Sequence, residues 1–227
     1  MNKLTTTVFA FAVSSVTALA LSGGAMAQEV KGDIKAGQGK IDMCIGCHGI
    51  PGYQTAFPEV YKVPKISGQG AAYIASALNA YKTGTRRHPS MRGIAESLSE
   101  QDIADVAAFY AAHGVHDGAS LPEQPSNKPS AQVEALLQKG ACVSCHGTNF
   151  AKPIDPSYPK IAGQYADYLF VALKSYKAGA GHGPVGRDNG VMAPLVKQFS
   201  NAELKAIAGY LQTLDGGLQT LPERPFR

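Results

Sequence analysis

The feature that most constrains this chain is a six-residue cluster that occurs twice. Cys44-Ile45-Gly46-Cys47-His48-Gly49 and Cys142-Val143-Ser144-Cys145-His146-Gly147 stand at an offset of 98, with 94 residues between Cys47 and Cys142. The likeness extends past the clusters: residues 64–84 match residues 159–179 at an offset of 95, with 12 identities in 21 positions. A self-similar chain of 227 residues has room for two ordinary domains. Two copies indicate a duplicated domain, because a solenoid needs at least three stacked units to bury its faces.

Each half shows three helical patterns and no run of period-two alternation, so the expected class is all-α. The first pattern covers residues 34–47 and 130–145. The second carries Ile74, Ala77, Leu78 and Tyr81 in one copy and Leu169, Ala172, Leu173 and Tyr176 in the other, at i, i+3, i+4, i+7. Gly84 and Gly179 follow as C-terminal stops. The third opens at Ser99 or Ser200, the latter with the Ser-x-x-Glu pattern of a capping box. It places Ile103, Val106, Ala107 and Tyr110, or Leu204, Ile207, Ala208 and Leu211, on one face. Residues 116–130, with Pro122, Pro125 and Pro129, read as a linker between domains at 28–115 and 131–227. With 25 Gly, 14 Pro and no Trp, three short helices per half offer too few large side chains for a core. Something else has to fill it.

Residues 1–27 read as a secretory leader, with Lys3 as the basic start, an apolar stretch over 4–21 and Ala25-Met26-Ala27 as the small-x-small site. Cleavage after Ala27 and a place outside the cytoplasm, in a periplasm, are expected. No other stretch reaches 18 unbroken apolar residues, so no further span is expected. The formal net charge of +4, with basic and acidic residues interspersed, gives no reason to expect nucleic acid.

On a helix, Cys at i and i+3 point the same way and His at i+4 lies beside them. Two thiols can then bond the two vinyl groups of one haem while the His nitrogen reaches its iron, which is c-type attachment. Cys44 and Cys47 with His48, and Cys142 and Cys145 with His146, thus predict two covalently attached haem c groups. A macrocycle in each half also supplies the missing core. A zinc site joining two Cys-x-x-Cys pairs spaces them 15–20 residues apart, a thioredoxin-like pair needs a βαβ context, and plain disulfides leave the histidines unexplained.

A haem with only one protein ligand is open to small molecules, whereas a second ligand closes it and favours electron transfer. Of five methionines, Met1 and Met26 belong to the leader and Met43 abuts Cys44. Met91 and Met192 remain, 43 and 46 residues after their histidines and each 8 residues before the serine of the last helix. That equivalent placement marks them as axial ligands rather than core fillers. His88 and His182 are the competing candidates, read here as loop residues, and His113 and His116 carry no role.

These residues resemble the cytochrome c4 family of dihaem class I cytochromes c. The likeness rests on the two Cys-x-x-Cys-His clusters, Pro-Lys-Ile-(Ser/Ala)-Gly-Gln at 64–69 and 159–164, Met91-Arg92-Gly93-Ile94-Ala95, and Leu98-Ser99-Glu100-Gln101-Asp102-Ile103-Ala104-Asp105. It covers essentially the whole chain after the leader. The resemblance implies tandem cytochrome c folds whose first and last helices cross, with haems facing each other near the domain interface. It also implies that the Pro64 and Pro159 carbonyls hold His48 and His146, with Gln69, Gln164, Tyr73 and Tyr168 as candidates for the haem propionates. One departure stands out: Gly84 to Met91 spans 7 residues but Gly179 to Met192 spans 13, which predicts inequivalent haems.

The function this implies is single-electron carriage by a monomer, soluble or peripherally membrane-attached, from a donor such as a quinol-oxidising membrane cytochrome complex to a terminal oxidase or reductase, with no bond chemistry. The alternatives are a dihaem subunit of a flavoprotein sulfur-compound dehydrogenase and, against two well-placed methionines, a dihaem peroxidase. Lys82, Arg86, Arg87 and Arg92, with Lys174, Lys177 and Arg187 more loosely, are candidate docking charges or simply a solvated basic face.

Overall fold

The structure, a computed structural model, describes residues 30–115, 120–181 and 183–222. The expected leader at 1–27, His116 and His182 lie outside the described residues. The first half contains α1 (Ile34–Gln38), α2 (Asp42–His48), β1 (Gln54–Thr55), β2 (Tyr61–Lys62), α3 (Ala71–Thr83), β3 (Arg86–Arg87), α4 (Pro89–Glu96) and α5 (Glu100–Ala112). The second contains α6 (Ala131–Lys139), α7 (Val143–His146), α8 (Ala166–Ala178), β4 (Gly186–Arg187), α9 (Met192–Lys197) and α10 (Asn201–Gln212). Helices dominate, and the strands are two-residue antiparallel pairs, β1 with β2 and β3 with β4.

Two expectations need correction. The helix leading to each Cys-x-x-Cys-His is broken, into α1 and α2 or α6 and α7. Gly39 and Gly140 cap the first pieces. In the second half Ala141 then takes the left-handed region at φ +46°, and a Cβ on Gly140 would stand 3.0 Å from Cys142 Sγ. The second correction is an extra helix per half, α4 and α9, carrying Met91 and Met192 respectively. Periodicity misses them because eight and six residues are too few to display a repeat.

The longer helices follow their sequence signals. Capping boxes form at both Ser99–Asp102 and Ser200–Glu203, and Gly84 ends α3 in the left-handed region at φ +83°. Ile74, Leu78 and Tyr81 of α3 pack with Ile103, Val106, Ala107 and Tyr110 of α5 in one core. Leu169 of α8 packs with Leu204, Ile207, Ala208 and Leu211 of α10 in the other. The first and last helices of the first half meet where Gly37 of α1 faces α5; a Cβ there would come within 2.2 Å of the Asp105 carbonyl oxygen. Asp105, 2% exposed, fixes this crossing by accepting from Asp33 N at 2.8 Å and Lys40 Nζ at 2.6 Å.

The halves join through a two-fold-like set of contacts. Gln69 Nε2 donates to the Lys160 carbonyl at 2.9 Å while its Oε1 accepts from Lys160 N at 3.0 Å. Gln164 does the same to Lys65, at 2.9 and 3.0 Å. Lys65 Nζ donates to the Gly163 carbonyl and Lys160 Nζ to the Gly68 carbonyl, both at 2.7 Å. Arg86 pairs with Arg187 in the β3–β4 register; each stands five residues before its methionine, so a repeat-equivalent pair sits on the local axis. Ion pairs Lys62–Asp167 and Lys174–Glu59 add to the join. Within the stretch read as a linker, the described residues bond to the second half: Asn149 donates to the Pro122 carbonyl, Asn127 Nδ2 to the Thr213 carbonyl at 2.7 Å, and Asp215 N to Ser126 Oγ at 3.0 Å.

Candidate haem-binding site

One continuous cavity of about 830 Å³ runs between the halves, lined by Cys44, Cys47, His48 and Met91 from the first and Cys142, Cys145, His146 and Met192 from the second. All eight sequence-selected residues therefore reach the same space. The rest of the wall is mainly apolar, including Ile74, Leu78, Val106, Leu169, Val196, Leu204, Ile207 and Leu211. Each half-core is a shell around this void, which accounts for the shortage of large side chains in the sequence.

The proximal histidines are prepared for a metal. His48 Nδ1 lies 2.9 Å from the Pro64 carbonyl oxygen and His146 Nδ1 lies 3.0 Å from that of Pro159. A carbonyl only accepts, so Nδ1 carries the proton and Nε2 keeps its lone pair for iron. Burial pushes both imidazoles below their ordinary pKa, favouring the neutral form that ligation requires. These carbonyl contacts are the ones implied by the family resemblance.

The cysteines are unpaired. Burial pushes the Cys44 thiol up to about 11 and raises that of Cys142, the opposite of the lowered pKa that activates a redox-catalytic thiol. Among the described residues no group of three or more His, Cys, Asp or Glu is placed to hold a metal, which leaves the zinc alternative without a ligand set.

The methionines are held by caps that occupy equivalent positions. His88 Nδ1 accepts from Met91 N at 3.5 Å, and Asn189 Oδ1 accepts from Met192 N at 2.8 Å and Val191 N at 3.0 Å. His88 is thus engaged in positioning the methionine segment. Burial, with the Arg86 and Arg187 charges, lowers its pKa, keeping Nδ1 able to accept.

The basic residues considered for docking make contacts within the chain, although Lys82 and Arg92 stay exposed. Lys82, Arg87 and Lys177 donate to the carbonyls of Leu98, Ala180 and Phe199, each at 2.6 Å. Arg92 pairs with Glu96, and Lys174 with Glu59. Arg86 and Arg187 are 8% and 9% exposed and form no ion pair among the described residues. Arg86 Nε is buried without a hydrogen-bond partner. Gln69 and Gln164, candidates for propionates, each commit Oε1 and one Nε2 hydrogen to the backbone of the opposite half.

The donors present fit two haem c groups. Paired thiols, an adjacent neutral imidazole and a thioether from each half line one mainly apolar cavity, and guanidinium groups without an ion-pair partner in its wall suit anionic substituents. A family model for cytochrome c matches the chain twice, over residues 34–112 and 130–215. Cytochrome c4 of Pseudomonas aeruginosa is 32% identical over 221 residues, covering 94% of this chain and 100% of that protein. The crystal structure of reduced recombinant cytochrome c4 from Pseudomonas stutzeri superposes with a TM-score of 0.57 at 26% identity, covering 81% of this chain and 100% of that one. A thiosulfate dehydrogenase electron acceptor of Thiomonas intermedia is 27% identical over 176 residues, 74% of this chain and 76% of that protein. With two cytochrome c units built around a shared cavity, this chain belongs to the cytochrome c4 family.

Proposed function

We propose that the chain shuttles single electrons outside the cytoplasm, in the periplasm, taking them from a quinol-oxidising membrane cytochrome complex and delivering them to a terminal oxidase or reductase. The observation that carries this reading is that each half lines the shared cavity with an imidazole whose Nδ1 proton is committed to a carbonyl and with a methionine whose backbone N–H is held by the side chain three residues earlier. When bound, each haem supplies one-electron chemistry at iron. The Cys pairs 44/47 and 142/145 would tether it, and His48 and His146 through Nε2, with Met91 and Met192 through sulfur, would hold the iron. A thioether ligand raises the potential and closes the iron to exogenous ligands, so no peroxide chemistry is expected. Among the described residues no helix is long and apolar enough to cross a membrane.

Docking uses the apolar rim of the cavity, beside which Lys82 and Arg92 remain exposed. Met43, Tyr53 and Phe57 line it and are 55%, 43% and 64% exposed. Apolar rims around a cofactor edge suit brief redox encounters, which use small interfaces.

The test is a mass and a spectrum of the purified chain. Two thioether-bound haems and a methionine-to-iron charge-transfer band support the reading. Tight carbon monoxide binding by the reduced protein at neutral pH, or peroxide turnover, defeats it. A second reading, a dihaem subunit of a sulfur-compound dehydrogenase, is favoured by the relative named a thiosulfate dehydrogenase electron acceptor; isolation of a stable heterodimer with a flavoprotein would select it.

A further inference from the structure

Asn189 stands three residues before Met192 and is followed by Gly190, the single Asn-Gly pair in the chain. Both residues are exposed, and the space around Gly190 is open, with nothing within 4 Å of where a Cβ would stand. A glycine nitrogen has no Cβ beside it to hinder its approach to a carbonyl, and its backbone turns freely. The Asn189 side-chain carbonyl is already polarised: Oδ1 accepts from Val191 N at 3.0 Å and from Met192 N at 2.8 Å. Two backbone N–H groups on one carbonyl oxygen are the arrangement that stabilises the oxyanion formed when a nucleophile adds to its carbon. Here the neighbouring nucleophile is the Gly190 amide nitrogen. The equivalent position in the first half offers no such attack, because His88 carries no side-chain amide and is followed by Pro89, which has no N–H.

We propose that Asn189 is a self-modifying site, which deamidates through a succinimide to aspartate and isoaspartate, and that the isoaspartate form unseats Met192. Gly190 N adds to Asn189 Cγ and gives its proton to water; the Cγ–Nδ2 bond breaks, and Nδ2 leaves as ammonia. Water then opens the ring, at Cγ to give aspartate or at the main-chain carbonyl carbon to give isoaspartate. The net reaction consumes water, releases ammonia and changes no oxidation state. Aspartate keeps an acceptor for Val191 N and Met192 N. Isoaspartate instead routes the main chain through Cβ and Cγ, adding a carbon to it, and turns the former main-chain carbonyl into a carboxylate. That carbonyl is the acceptor for Ala193 N at 3.1 Å, so every bond from residue 189 to the three amides at 191–193 is displaced. The residue that fixes Met192 is therefore also the one able to release it, in the second half alone.

The deamidation is independent of the two-haem reading; the loss of an iron ligand rests on it. Full-length holoprotein and Gly190→Ala are held in warm, mildly alkaline buffer and sampled over time for peptide mass, for isoaspartate by enzymatic methylation, and for the methionine-to-iron charge-transfer band. The wild type should convert amide to acid at Asn189 at least about tenfold faster than at the exposed Asn127 and Asn201, a barrier difference of ~1.4 kcal/mol. Gly190→Ala, whose Cβ meets nothing within 4 Å, should slow the conversion by a similar factor and keep its band. In the wild type the band should fall towards about half, in step with isoaspartate rather than with total acid, as one of two thioether ligands is lost. Conversion at Asn189 no faster than at Asn127 overturns the site, whether or not the variant folds. Isoaspartate accumulating under an undiminished band overturns the release of Met192. Fresh wild type without the band overturns methionine ligation, and with it the release of an iron ligand, and leaves the modification site to stand on the mass result.

Discussion

The glutamine latch yields a measurable coupling between the halves. Gln164, 4% exposed, makes two hydrogen bonds to the Lys65 peptide across the join and accepts a third from Tyr165 N at 3.1 Å. Truncation in Gln164→Ala removes two inter-half bonds, each worth ~1 kcal/mol net, and leaves the Lys65 N–H and C=O to find water, at ~1–3 kcal/mol for a group that stays dry. The expected loss is ~2–4 kcal/mol. Gln164→Glu keeps the acceptor for Lys65 N and loses the donor to Lys65 O, so it falls between wild type and Ala. Gln69→Ala is expected to cost the same amount, because its bonds to Lys160 repeat the geometry within 0.1 Å. The double variant should lose less than the sum, since opening one latch lets water reach the other and neighbouring sites are not additive. Urea unfolding of the holoprotein, followed by far-UV circular dichroism and by haem absorbance, reads this directly. Coincident transitions in wild type that separate in the double variant would show the halves uncoupling. A loss below ~0.5 kcal/mol in either single variant, the range of an ordinary surface change, would refute the latch as a source of stability.

Three further outcomes follow from other residues. Met91→Ala and Met192→Ala, made singly, should each remove about half of the methionine-to-iron charge-transfer band and lower one potential, the direction expected when thioether ligation is lost; an unchanged spectrum and potential would refute that residue as a ligand. The Lys40 ammonium, with Asp33 N–H and Gln101, holds the Asp105 carboxyl below its usual range. Its folded value lies under the unfolded ~3.9, so its stabilisation is complete above that pH and fades as pH falls through the folded value; Asp105→Asn should flatten the acid limb of a stability-against-pH curve, and an unaltered limb would count against the contact. Gly37→Ala should destabilise by ~1–3 kcal/mol because its Cβ would enter the α5 backbone, whereas Gly209→Ala, inside α10 with nothing within 4 Å, should gain up to ~1 kcal/mol; thermal unfolding of the two variants distinguishes them.

The candidate site residues could be picked out of the sequence because the haem-attachment pattern is local. Cys, Cys and His within one helical turn encode their own geometry, and two methionines at equal distance from the last helix encode theirs by repetition. The core faces of α3, α5, α8 and α10 were legible for the same reason, as a 3.6-residue period over 12 or 13 residues. Short helices escaped that test. So did the join: a glutamine bonded to the backbone 91 or 99 positions away leaves no periodic trace, and Arg86 and Arg187 read as surface charge when each is seen only beside its sequence neighbours. One signal was present, that both arginines stand five residues before a methionine, but it becomes meaningful only once the two repeats are known to face each other.

The join also explains why a duplicated chain need not contain two equal carriers. Gln69, Gln164, Lys65 and Lys160 lie in the segment of 12 identities, and their contacts are symmetric because any change in one copy must be met by its counterpart. The methionine loops lie beyond that constraint, and there the copies diverge. His88 caps Met91 through a bond of 3.5 Å while Asn189 caps Met192 through one of 2.8 Å. The second loop is six residues longer, and Asp105 of α5 has Ala206 as its counterpart in α10. Symmetry is kept where the halves touch and relaxed around Met91 and Met192. Two different haem potentials are the expected outcome, and a redox titration that resolves one shared value would refute it.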